Sequence, residues 1–104
     1  MKELTPYQME LLGVLQEECA EVIQIISKIR RFGINSYNPA IPEEGTNFEL
    51  LNLEVADVLS LIEMVKESRN SPLNEEILHK RIDYKKLKVT RYMRPDIYET
   101  QFSE

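Results

Sequence analysis

The sequence predicts an all-α protein: a helical bundle of three long helices with room for a short C-terminal fourth, its four-helix-type core completed by association of copies. Two observations carry this expectation. Apolar residues recur at three- and four-residue intervals through long windows. Helix start signals stand ahead of those windows, and the 5 prolines fall between them or at their first positions. A chain of 104 residues fits one domain over 1–104, and a domain that small buries only a modest core unless a second copy adds to it.

The first helix is predicted to start at Pro6. Thr5 is the N-cap, Pro6 occupies the position where a missing N–H costs nothing, and Gln8 closes a capping box. Leu11, Val14, Val22, Ile25, Ile29 and Phe32 then keep the helical period, and Gly33 is read as a left-handed stop. Residues 33–46, GINSYNPAIPEEGT, hold two prolines and two glycines without periodicity and read as a long loop, of a kind that is often functional. Thr46 and Glu49 repeat the capping-box pattern and open a second helix through Leu50, Leu51, Glu54, Val58, Leu61 and Val65 to about Glu67. A third helix is expected from Pro72, capped by Ser71, to about Met93, because Pro95 biases Arg94 away from helix. Its apolar stripe, Leu73, Ile77, Tyr84 and Leu87, is thinner. The 95–104 tail carries Ile97, Tyr98 and Phe102, which dock it or leave it frayed.

With 18 acidic and 13 basic residues the net charge is -5, which argues against a sequence-independent nucleic-acid binder. The single cysteine, Cys19, rules out an internal disulfide framework, fits a reducing cytosol and reads as a small buried residue. No signal-peptide pattern and no apolar run of membrane length is found, so the expected location is the cytoplasm.

The informative feature is where the acids fall. An α-helix turns about 100° per residue; with Val14 at zero, Glu18 lies at about 40°, Glu21 at about -20° and Glu17 at about -60°. Two glutamates thus sit inside the apolar stripe and a third at its edge. On the second helix, with Glu54 at zero, Val58 lies at about 40°, Leu61 at about -20° and Asp57 at about -60°. An antiparallel hairpin could therefore bring Glu18, Glu21, Glu54 and Asp57 together. Converging carboxylates repel one another and cost several kcal/mol of desolvation apiece unless a cation sits among them. Lys28 and Arg31 are two charges against four. All-oxygen ligation without histidine or cysteine suits a hard divalent ion, Mg2+ or Mn2+, and Mg2+ bound by a few carboxylates commonly takes its remaining oxygens from water and phosphate.

EECAE at 17–21 followed by EVAD at 54–57 resembles the paired ExxE and ExxD motifs of the MazG-like all-α nucleoside triphosphate pyrophosphohydrolases, and the similarity extends over about residues 5–93. The resemblance implies Mg2+ held at the triphosphate by Glu18, Glu21, Glu54 and Asp57. It implies a nucleotide substrate hydrolysed to monophosphate and pyrophosphate, and a homodimer or homotetramer. Residues 22–53 separate the two motifs, longer than the family pattern usually runs, with the excess in the 33–46 loop. That departure bears on substrate preference.

On this reading a carboxylate not saturated by metal takes the proton from the attacking water, with Glu21 preferred over Glu17. Lys28, at about -40°, points toward the leaving pyrophosphate better than Arg31 at about -100°. Arg81, Lys85 and Lys88 with Tyr84 form a second basic group that reads either as phosphate clamp and stacking surface or as a solvent-facing helix side. Asn35, Tyr37 and Asn38 in the loop are candidates for contact with a base. Two rival readings differ in class: a helical module that binds or sequesters a nucleotide without catalysis, and a di-iron or di-manganese carboxylate bundle, for which EILH at 76–79 supplies a single Glu-x-x-His.

Overall fold

The computed structural model describes residues 3–103. Packing divides the chain, which the sequence reading takes as one domain, into two compact units, Met1–Pro72 and Leu73–Glu104.

The first unit is built on α1 (Pro6–Phe32) and α2 (Asn47–Glu67). α1 opens as expected: Thr5 Oγ1 accepts the Gln8 N–H at 3.1 Å and Gln8 Oε1 accepts the Thr5 N–H at 2.9 Å. Gln8 then does something the capping pattern does not announce. Its Nε2 donates to Ser68 Oγ at 3.1 Å and to the Arg69 carbonyl at 2.9 Å, tying the start of α1 to the chain leaving α2. At the opposite end Asn47 Nδ2 donates to the Gly33 carbonyl at 2.9 Å, while the Asn47 and Phe48 N–H groups reach the Ser36 and Ile34 carbonyls. Both latching side chains are buried. Together they fix the helices as an antiparallel pair in a single register.

Gly33 ends α1 with φ 94°, the positive value expected, but its ψ of 162° is extended and not left-handed helical. The reason is its carbonyl, which is turned toward Asn47 and not back along the helix. At α2 the Thr46 Oγ1 accepts the Glu49 N–H at 3.3 Å as expected; the Glu49 carboxylate takes the Thr46 hydroxyl at 3.4 Å. The 33–46 segment, expected without elements, contains a 3-10 turn at Pro42–Glu44 and an isolated antiparallel bridge between Tyr37 and Thr46. The restricted φ of Pro42 and the Asn38 Oδ1, which accepts the Ala40 N–H at 3.0 Å, shape it locally.

Leu11, Ile25 and Val65 are buried between the helices, with Val22, Ile29, Leu50, Leu51, Val58 and Leu61 half-buried beside them. Val14 and Phe32, expected in the packed stripe, are 40% and 65% exposed. One partner helix covers only a narrow line of a stripe about 100° wide, so residues away from that line stay open. Cys19, read as buried from its residue type, is exposed: at about 140° from Val14 it lies on the side of α1 away from the apolar stripe.

The second unit holds α3 (Glu75–Tyr92), α4 (Pro95–Glu99) and a 3-10 turn at Thr100–Phe102. α3 starts at Glu75, not at Pro72. Asn74 Oδ1 accepts the Ile77 N–H at 3.0 Å, and Glu75 and Glu76 complement the helix dipole in the first turn. The tail forms helical turns in which Tyr98 and Phe102 meet edge to face at 5.8 Å. Ile97 and Phe102 remain 47% and 75% exposed. Among the described residues no strand occurs, and no helix is long and apolar enough to cross a membrane.

The Gln8 latch has a measurable weight. Gln8→Ala removes the donor to Ser68 Oγ and to the Arg69 carbonyl in the turn that follows α2, a loss of about 1–3 kcal/mol. Urea unfolding of the variant is expected to show a lower midpoint at unchanged slope; an unchanged midpoint would mean that the latch contributes nothing.

Candidate metal centre and adjoining cavity

α1 presents Glu18 and Glu21 one turn apart, and α2 presents Glu54 and Asp57 in the same way. Because the pair is antiparallel and its register is fixed at both ends, the two acidic turns meet. One carboxylate oxygen each from Glu18, Glu54 and Asp57 lie within 4.8 Å of one another. Glu18 and Glu54 are half-buried and Asp57 is exposed. Glu21 stands outside that group of three, yet lines a groove of about 200 Å³ with Gln24, Lys28, Glu44, Leu50 and Glu54.

The electrostatics follow from this placement. Desolvation by the helix pair first, and then the charges of Asp57, Glu54 and Glu21, hold the Glu18 carboxyl above the ordinary glutamate value, with a hydrogen bond to Asp57 acting in the same direction. Glu54 is raised likewise, by desolvation and then by Glu21 and Asp57. The ion pairs of the second unit, Glu75–His79, Glu76–Lys80 and Arg94–Asp96, join other acids.

The donor chemistry fits a hard divalent cation. Three carboxylates close enough to share one ion, with Glu21 in the adjoining groove and no nitrogen or sulfur in the group, make an all-oxygen set that could hold a metal ion. Glu17 is exposed and lies outside both the group of three and the groove. His79 is exposed on α3 and paired with Glu75 at 3.4 Å, as suits a surface histidine.

Lys28 lines the acidic groove and also a second, larger cavity of about 460 Å³ under the 33–46 segment. Arg31 lines the larger cavity, with its guanidinium 5.2 Å from the Phe32 ring centre. Arg81, Tyr84, Lys85 and Lys88 belong to the second unit, on α3. There Arg81 stacks 4.7 Å from the Tyr84 ring centre, Lys88 lies 5.9 Å from that of Tyr92, and Lys85 borders a shallow surface depression. Of the loop residues proposed for a base, Tyr37 and Asn38 line the larger cavity and Asn35 does not.

Glu44, Gln24, Asn47 and Leu50 were not singled out as site residues from the sequence. Glu44 lies in an aperiodic segment, where no angular argument applies, and Asn47 carries no pattern beyond following an N-cap. Comparison with protein-family models, with curated proteins and with solved structures finds no match for this chain.

Proposed function

We propose that the protein is a cytoplasmic, divalent-metal-dependent hydrolase that converts a nucleoside triphosphate to its monophosphate and pyrophosphate, as the resemblance to MazG-like enzymes implies. The observation that carries the reading is the meeting of Glu18, Glu54 and Asp57 within 4.8 Å, where neighbouring carboxylates raise Glu18 and Glu54. Mutual repulsion at a half-buried place is a standing cost unless the place binds something positive. The basic and aromatic residues that line the adjoining spaces give an anionic, base-bearing substrate room to extend away from the acids.

In this reading Glu18, Glu54 and Asp57 hold the ion, with Glu21 beside them. Bound there, Mg2+ supplies charge neutralisation at phosphate oxygens and lowers the pKa of a bound water. Water adds to the α-phosphorus, the bond to the α–β bridging oxygen breaks, and that oxygen leaves on pyrophosphate. Glu21, in the groove but outside the group of three, accepts the proton of the attacking water. Lys28, which lines the same groove as Glu21, steadies phosphate charge. Large apolar side chains left open, such as Ile23 at 69% and Leu53 at 60% exposure, support assembly as a homodimer or homotetramer.

A panel of ribo- and deoxyribonucleoside triphosphates with Mg2+, assayed for both products, tests the chemistry. Monophosphate and pyrophosphate in equal amounts are expected. Diphosphate and orthophosphate would place cleavage at the other bond, and tight binding without turnover would make the chain a sequestering module.

A further inference from the structure

The larger cavity adjoins the acidic groove. Lys28, Glu44 and Leu50 line both, so a ligand anchored at the acids has a direct path under the 33–46 segment. We propose that this cavity is the nucleoside seat of the same site, with the triphosphate at the acids, Lys28 at the junction, and the base lying against Tyr37 and Phe32. The inference rests on the reading of the acidic groove as a polyphosphate site and adds the orientation of the substrate and the residues that recognise its far end.

Four observations support it. The volume of about 460 Å³ falls in the range of small-molecule sites. Two aromatic rings, Phe32 and Tyr37, line it while 65% and 54% exposed, and open rings beside a cavity are platforms for a flat heterocycle. Asn38 spends its Oδ1 on the Ala40 N–H, which leaves its amide hydrogens to donate to a ligand. Finally, the segment is pre-shaped: Asn47 ties it to Gly33 and Ser36, and Tyr37 bridges Thr46, so little ordering is left to be done on binding.

Inorganic triphosphate and a nucleoside triphosphate with a non-hydrolysable α–β link, each with Mg2+, separate the two halves by calorimetric titration. Both are expected to bind the wild type, and Glu54→Gln is expected to lose both. Tyr37→Ala is expected to weaken the nucleotide roughly 10-fold to 100-fold while leaving inorganic triphosphate unchanged, and Tyr37→Phe to retain nucleotide affinity because the ring is kept. Because Tyr37 is half exposed and its bridge to Thr46 is backbone, a fold defect would appear as loss of inorganic triphosphate binding too; Asn38→Ala then serves as the second variant, with the same selective loss expected. Wild-type affinity for the nucleotide in both variants would overturn the nucleoside seat and leave the polyphosphate site standing. Failure of inorganic triphosphate to bind the wild type would overturn the polyphosphate site, and the seat with it.

Discussion

Glu54→Gln is expected to lower pyrophosphate release by at least about 1,000-fold, roughly 4 kcal/mol of transition-state stabilisation, and at the same time to make the metal-free protein more stable. The amide keeps the size of the side chain but brings no charge to hold a divalent ion. The same change removes one of the like charges that raise Glu18. A residue needed only for packing would lose activity and stability together. Opposite signs in the two measurements, steady-state kinetics with Mg2+ and thermal unfolding in chelator, are the signature of a charge kept for its ligand. Full activity in the variant, or a lower unfolding temperature in chelator, would remove Glu54 from the centre.

The second large effect is the coupling of pH, ion and stability. Glu18 and Glu54 have folded-state values raised above the ordinary 4.5, so between 4.5 and those raised values the folded chain binds more protons than the unfolded one. Stability from these groups is therefore greatest at the acid end and declines as pH rises through the raised values. In chelator, the wild type minus Glu54→Gln difference in unfolding temperature is expected to become more negative from pH 4.5 to 7.5. A bound ion reverses the trend, because it requires ionised ligands. At a free-ion concentration about a hundred times its Kd it adds about 2.7 kcal/mol at neutral pH, and it adds little once protons compete. An ion-induced shift of equal size at both ends of the range would mean that the ion binds elsewhere.

The legible part of this protein was local. Thr5, Pro6 and Gln8 mark the start of α1, Thr46 marks that of α2, and the angular positions of Glu18, Glu21, Glu54 and Asp57 follow from helical geometry once the helices are granted. What the angle cannot supply is the identity of the covering side chain, which is why Val14 and Phe32, both within the stripe, are exposed; for Cys19 the residue type misleads, since its angle already places it off the stripe. Competing caps account for the start of α3: Ser71 and Asn74 are comparable by type, and the acidic turn after Asn74 decides between them. The roles of Gln8 and Asn47 across the hairpin depend on partners 60 and 14 residues away, beyond any window of periodicity. The cavity under the 33–46 segment was illegible for the same reason, since its walls come from α1, the loop and the first turns of α2.

The Asn47–Gly33 contact closes a stem: the chain departs and returns within a 2.9 Å bond before α2 is under way. The register of the two helices is thus set at the stem and not by the length of what hangs from it, although Glu44 reaches back into the acidic groove. The tip is in effect an exchangeable cassette, in which letters can be rewritten, or added, without recutting the helical frame beneath it.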